Sequence, residues 1–312
     1  MKVMKFGGTS VGSPQRMQDV SQLITKSGEP TFVVLSAMSG TTNSLIEVCD
    51  YLYKKNSDGA NEVINTLEKK YMKHVDELYS TQEMKETTRK FLADEFRYLR
   101  SFTKDIFTSF EERIIVAQGE VISTNMVVNY LKEIGIKALL IDALDFMRTD
   151  KNAEPDAHYI KEHLSEIMSA NKGYQIYITQ GFICRNAYGE VDNLQRGGSD
   201  YTASLIGAAL MADEIIIWTD IDGMHNNDPR IVDKTEAVHQ LHFEEAAELA
   251  YVGAKILHPT CVQPAKFTGI PVRIKNTMDP EADGTVINNT LKRCAIKAVA
   301  AKDNIIAIKI KS

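Results

Sequence analysis

What most limits the possible folds of this chain is a recurring order: a short apolar run, a turn of small or polar residues, then a stretch with helical periodicity. Lys2-Val3-Met4-Lys5-Phe6 runs into Gly7-Gly8-Thr9-Ser10-Val11-Gly12, and a helix is expected from Arg16 to Lys26, ended by Gly28-Glu29-Pro30. Thr31-Phe32-Val33-Val34-Leu35 is almost wholly apolar, as suits a strand covered on both faces. It breaks at Ser36-Ala37-Met38-Ser39-Gly40-Thr41-Thr42-Asn43, and apolar residues return at helical spacing from Leu45 to Tyr53. That order predicts a parallel sheet with helices packed against it.

Further strands are expected at Lys137–Asp142, Gln175–Gly181, Glu214–Asp220 and Ile270–Asn276. Helices are expected at Glu111–Leu131, interrupted by Gln118-Gly119-Glu120, and at His158–Ala170, Ser199–Met211, Phe243–Val252 and Pro259–Phe267. Between Asp58 and Phe110 there is no proline, and apolar and charged residues mix at helical spacing. This predicts two or three long helices inserted on one side of the sheet, with a solvated charged face. The alternation ends near Asn288–Arg293. Lys297–Ala301 and Ile305–Ile310 resemble a hairpin turning at Asp303-Asn304, on a final strand with nothing after it to pack on. The expected organisation is one unit over residues 1–290, with 291–312 opening a second domain that is cut short.

At 312 residues the chain can bury the core of a large α/β domain. A net charge of −6 argues against a nucleic-acid partner that needs a broad basic surface, but leaves room for a local phosphate pocket. Cys49, Cys184, Cys261 and Cys294 are far apart and lack zinc-site spacing, so they read as inert thiols in a reducing compartment. Neither a signal peptide nor a membrane-length apolar stretch is present, which predicts a cytoplasmic protein with no membrane partner.

In open α/β sheets, ligands collect at the carboxyl ends of parallel strands. The residues expected there are Lys5-Phe6-Gly7-Gly8, Ser36 to Gly40, Gly181-Phe182 and Thr219-Asp220, and none closes its strand with a run of bulk. The first turn fits two readings equally. Either it is an anion site, with Lys5, glycines that let backbone approach a ligand, and a helix N-terminus aimed at the same spot; or it is an ordinary strand-loop-helix start with a surface lysine. Gln195-Arg196-Gly197-Gly198-Ser199-Asp200 repeats the glycine pair before another helix. Ser199 or Asp200 alone would suffice as a cap, so the added arginine and glycines favour function. Neither G-x-x-x-x-G-K-[ST] nor G-x-G-x-x-G nor a G-x-S-x-G elbow occurs.

Taken together, seven blocks resemble the aspartate kinases, members of the amino-acid-kinase fold. They are Lys5-Phe6-Gly7-Gly8-Thr9-Ser10-Val11, Ser36 to Asn43, Gly119-Glu120, Arg196 to Ala203, Trp218-Thr219-Asp220, Asp228-Pro229-Arg230 and Gly253 to Pro259. Their order is kept from residue 2 to about residue 287, and Ile274-Lys275-Asn276-Thr277 is closest to the kinase half of bifunctional aspartate kinase–homoserine dehydrogenases. The resemblance implies a three-layer αβα sandwich with a mostly parallel sheet. It also implies transfer of the ATP γ-phosphoryl group to the β-carboxylate of L-aspartate, the first step towards lysine, threonine and methionine. Such a carboxylate, with a reference pKa of about 3.9, is already ionised at neutral pH and needs no general base.

By the same resemblance, Lys5 neutralises the transferring phosphoryl group and Asp200 orients Lys5. Gly7, Gly8 and Ser10 lie beside the phosphates. Arg196 grips the substrate α-carboxylate and Glu120 meets its ammonium, with Ser36, Thr42, Gly197, Gly198 and Ser199 adding contacts. Thr219, Asp220, His225, Arg230, Lys255 and Ile256 hold ATP, and Mg²⁺ is held through the nucleotide phosphates. The sequence departs from many relatives at His225, where tyrosine is common, and at Gln195, where glycine is frequent. The enzymes it resembles continue into paired ACT regulatory domains, of which residues 291–312 would be the first hairpin. The full-length protein is then expected to be a homo-oligomer. Alternatives are a family member acting on glutamate, acetylglutamate or a nucleotide, and a non-catalytic amino-acid sensor.

Overall fold

A computed structural model of the protein describes residues 1–26, 28–194, 197–228, 231–251, 258–291 and 296–301. In chain order the first half comprises β1 (Lys2–Phe6), α1 (Pro14–Lys26), β2 (Thr31–Leu35), α2 (Thr41–Tyr53), α3 (Ser57–Leu78), α4 (Gln82–Ser101) and α5 (Ser109–Glu133). Then come β3 (Ala138–Leu140), α6 (Ala157–Ala170), β4 (Ile176–Gln180), β5 (Ile183–Arg185), β6 (Val191–Asn193) and α7 (Gly198–Leu210). The remainder holds β7 (Glu214–Thr219), β8 (Gln240–His242), α8 (Phe243–Tyr251), α9 (Gln263–Thr268), β9 (Val272–Asn276) and β10 (Thr285–Asn288), with a 3₁₀ turn at Pro259–Val262 leading into α9.

Eight strands share one sheet in the order β3-β4-β2-β1-β7-β9-β10-β8. Every neighbouring pair is parallel except β9 with β10. β1 sits between β2 and β7, so the chain order reverses across its carboxyl end, the position where open α/β sheets form their crevice.

The pleat of β1 assigns its residues to two cores. Met4 and Phe6 face the layer of α1 to α5, with Val33, Leu35, Ile216 and Trp218 beside them. Val3 faces the other way, with Phe32, Val34, Ile215 and Ile217, against α6 to α9. Lys5 therefore emerges on the α7 side, by strand alternation alone. The result is the expected three-layer αβα sandwich.

The inserted helices are α3 and α4. Each has one apolar stripe, Ile64, Leu67, Tyr71 and Val75 on α3 and Leu92, Phe96 and Leu99 on α4, and these stripes extend the first core outward. The expected break in the following helix is absent, since α5 runs unbroken through Gln118-Gly119-Glu120. Gly119 is there for packing: a Cβ on it would lie 2.7 Å from the Ala37 Cβ. The short strands β5, β6, β8 and β10 were not expected from the sequence.

Cys49, Cys184 and Cys261 are free and buried, and burial pushes each thiol up to about 12. Cys294 lies outside the described residues, as do Ile305–Ile310 of the expected terminal hairpin. Residues 296–301 carry no regular secondary structure. Among the described residues no helix is long and apolar enough to cross a membrane.

Candidate active site

A cleft of about 350 Å³ opens at the carboxyl end of β1, between the Ser36–Asn43 loop and the start of α7. Its walls include Lys5, Gly8, Ser36, Thr42, Glu120 and Asp200. Gly197, Gly198 and Ser199 also line it, so most of the substrate and catalytic residues expected from the sequence meet in one place.

Two helices begin at this cleft, one from each layer. Both are preceded by a glycine in the left-handed region, Gly40 (φ 84°) before α2 and Gly197 (φ 78°) before α7, and neither has a side-chain cap. By contrast α3, α4, α5 and α6 are capped by Asn56, Thr81, Thr108 and Asp156. A left-handed N-cap position selects glycine, and glycine brings no oxygen to satisfy the first-turn amides. Those of Thr42 and Asn43, and of Gly198, Ser199 and Asp200, have no acceptor among the described residues. Bare amides at the positive end of a helix attract anions.

The Lys5 amine lies 2.7 Å from the Asp200 carboxylate, with both side chains largely buried. The contact is an ion pair without a well-directed hydrogen bond, since the same Asp200 oxygen has no hydrogen-bond partner. Asp200 is thus placed to hold the amine in the cleft while leaving its N–H groups for a ligand.

Glu120 presents the opposite problem. It is 4% exposed, and one of its carboxylate oxygens has no partner. Burial pushes its pKa up to about 7, against smaller opposing pulls from nearby backbone groups and Lys5. A buried carboxylate with an unused oxygen facing a polar cleft is suited to a cationic group on a ligand.

The turn after β1 differs in detail from expectation. The Gly7 amide donates to the Trp218 carbonyl (3.2 Å), so it continues the sheet rather than facing a ligand. Gly8 is glycine because a Cβ would come within 2.7 Å of the Ala37 carbonyl oxygen. Its amide has no acceptor among the described residues. Ser10 is fully buried, and its hydroxyl lies 2.7 Å from that of Thr277. Arg16 donates to the Thr9 carbonyl (2.6 Å) and braces the turn from α1.

On the β7 side, the Thr219 carbonyl accepts from the Thr277 amide (2.8 Å) and hydroxyl (3.0 Å), joining β7 to the end of β9. The Thr219 hydroxyl donates to Asp220 (3.2 Å). His225 has both ring nitrogens occupied, by the Thr235 hydroxyl (2.8 Å) and the Asp222 carboxylate (2.7 Å). It braces its own loop. Arg196, Arg230, Lys255 and Ile256 lie outside the described residues.

Phe182, expected from the sequence at a strand end, and Cys261, expected only as an inert thiol, both contribute to the site. Phe182 lines the cleft with φ 70°, a conformation unusual for a bulky side chain. It is held by its amide on the Thr202 hydroxyl (3.1 Å) and its carbonyl on the Leu194 amide (2.7 Å). Cys261 lies behind the α7 start, its thiol donating to the Gly197 carbonyl at 3.3 Å. Strand-end position was the signal at the first, and isolation from any motif gave none at the second.

Residues 1–276 match the family model described as the amino acid kinase family. Aspartokinase 1, chloroplastic, of Arabidopsis thaliana is 36% identical across 99% of this chain and 56% of its own length. Lysine-sensitive aspartokinase 3 of Escherichia coli K12 is 33% identical across 97% of this chain and 67% of its own length. The crystal structure of E. coli aspartokinase III in complex with aspartate and ADP superposes with a TM-score of 0.83 at 31% identity, over 94% of this chain and 65% of that one. The chain therefore spans between about half and two thirds of the length of these relatives.

Proposed function

The chain belongs to the amino acid kinase family, on its aspartokinase branch, and from that premise we propose that it transfers the γ-phosphoryl group of ATP to the β-carboxylate of L-aspartate. The observation that carries this reading is the pairing of opposite needs in one cleft. Lys5 and two helix starts without side-chain caps call for anions, and the half-unpartnered Glu120 calls for a cation. Aspartate with its α-amino group free, beside a nucleotide phosphate, meets both needs.

The chemistry follows from charge. The acceptor carboxylate and the phosphoryl group are both anionic, so the barrier contains their repulsion, and a fixed ammonium between them lowers it. Asp200 keeps that ammonium in place and takes no proton in this scheme. Alignment of the two anions by the α2 and α7 amides supplies the remaining advantage. Mg²⁺ held through the nucleotide phosphates would offset further charge. Arg196 would take the α-carboxylate, and Thr219, Asp220, Arg230, Lys255 and Ile256 would face the nucleotide, with His225 bracing the loop between them. Residues 1–290 would form the catalytic unit of a cytoplasmic enzyme that is a homo-oligomer at full length.

A glutamate kinase is the nearest competing reading, and an acetylglutamate kinase would give Glu120 no cation to meet. ADP release is to be measured with aspartate, glutamate and acetylglutamate in turn, with hydroxylamine to trap the acyl phosphate. Turnover and hydroxamate with aspartate alone are expected. Equal or greater turnover with either other acid would overturn the assignment.

A further inference from the structure

The helical insertion reaches the cleft at one point. Tyr71 of α3 is fully buried, and its hydroxyl lies 2.7 Å from that of Thr41, also fully buried, the first residue of α2. From the preceding position, the Lys70 amine reaches the Ser39 carbonyl at 3.4 Å. One turn of α3 thus touches the Ser36–Asn43 loop from inside and outside. On its far side, Thr41 packs against Gly119, where a Cβ would lie 3.3 Å from the Thr41 methyl carbon. Thr41 is held between Tyr71 and the residue before Glu120.

We propose that Tyr71 is a positioning residue, through which the α3–α4 insertion fixes the α2 N-terminus against the aspartate site. The inference rests on the function proposed above. A threonine in the first turn of a helix can fold its hydroxyl back onto a nearby backbone group. Here Tyr71 engages that hydroxyl, and the Thr42 and Asn43 amides stay bare on the cleft side. The contact also fixes the height of the loop above Glu120, whose charge lies close enough to raise the Tyr71 pKa further beyond what burial does. The loop lines the cleft with Ser36 and Thr42, both assigned to the amino-acid substrate, so loss of the contact is felt there first.

The test compares wild type, Y71F and the double variant Y71F/T41V. Y71F leaves a buried hydroxyl unpaired and lowers the melting temperature; the double variant removes both hydroxyls and recovers it. If Tyr71 positions the loop, KM for aspartate rises about fivefold or more in both variants, while KM for ATP stays within about twofold. A KM for aspartate that recovers together with the melting temperature reduces the contact to ordinary stability and overturns the proposal. A readout independent of turnover is amide hydrogen exchange over residues 36–48, expected about tenfold faster in both variants. Unchanged exchange there also overturns it. Wild type without aspartate-dependent ADP release would instead overturn the proposed function, and the exchange result would still decide the role of Tyr71.

Discussion

Lys5 and Asp200 are 195 residues apart in sequence and 2.7 Å apart in space, and they reach each other from the central strand and the first turn of α7. The pair is buried enough to hold its geometry and open enough to meet a ligand.

Replacing Lys5 by alanine removes the fixed positive charge without disturbing either core, because the side chain lies at the rim. We expect kcat to fall by at least about a thousandfold, with circular dichroism unchanged. A folded Lys5→Ala protein with near-native turnover in the ADP-release assay would refute the charge-neutralising mechanism.

Glu120 makes substrate binding depend on pH. An ammonium group binds the ionised carboxylate, which in the free protein forms as pH rises through about 7. KM for aspartate should therefore drop up to about tenfold per unit as pH rises towards 7, and level off above about 8. Glu120→Gln should bind aspartate weakly at every pH, without that trend. A flat wild-type profile would show that Glu120 does not meet the ammonium.

The same group sets an opposite trend in stability. Its folded pKa of about 7 lies above the ordinary 4.5, so the folded state retains a proton that the unfolded state releases between those values. Its contribution to stability is greatest below the lower value and is lost as pH rises through the upper one, a change of about 3 kcal/mol. Glu120→Gln, always neutral, should melt above wild type at pH of about 8 and lose that advantage at pH of about 5. Thermal melts of both proteins at the two pH values check the sign.

Gly119→Ala tests packing against propensity. In a helix interior alanine normally gains about 1 kcal/mol over glycine. Here the new Cβ meets Ala37 at 2.7 Å and Thr41 at 3.3 Å, and one or both loop residues must move. Urea unfolding should show a net loss of about 1 kcal/mol or more, and KM for aspartate should rise. A stabilised variant would mean that the loop yields freely.

At Gly197 two causes can be separated. Gly197→Ala meets a left-handed φ and the Cys261 sulfur at 2.8 Å. Adding Cys261→Ala removes the sulfur clash and leaves the left-handed φ together with the tighter-than-usual approach to the His258 Cβ at 3.1 Å. The double variant should recover some stability and still retain a raised KM for aspartate, since the backbone strain persists at the α7 start. Full recovery in steady-state kinetics would assign the whole effect to sulfur.

The main sheet was readable because β2, β4 and β7 are buried on both faces and advertise it as mostly apolar runs, and because β1, though broken by Lys5, runs straight into its glycine turn. β5, β6 and β8 span three residues each and β10 four, too few for a period to register. The Lys5, Asp200 and Glu120 cluster was legible through motif resemblance and strand ends. The break expected at Gln118-Gly119-Glu120 failed because a glycine inside a helix has the same letter whether it bends the chain or admits a neighbour. Tyr71 looked like one more apolar residue in a charged helix, since the partner of its hydroxyl is set only by tertiary contact. Ser10 and His225 were read by position along the chain, which does not reveal that their polar atoms are taken by Thr277, Thr235 and Asp222.

The starts of α2 and α7 come from opposite layers of the sandwich and meet over the rim of the sheet. A ligand held by both acts as a rivet through that rim, adding a tie between two hydrophobic bodies that are otherwise joined by the sheet and by the contacts of α5 with β6. Occupancy of the cleft then does mechanical work in the fold as well as chemical work, and either layer loosening alone would release what the other still grips.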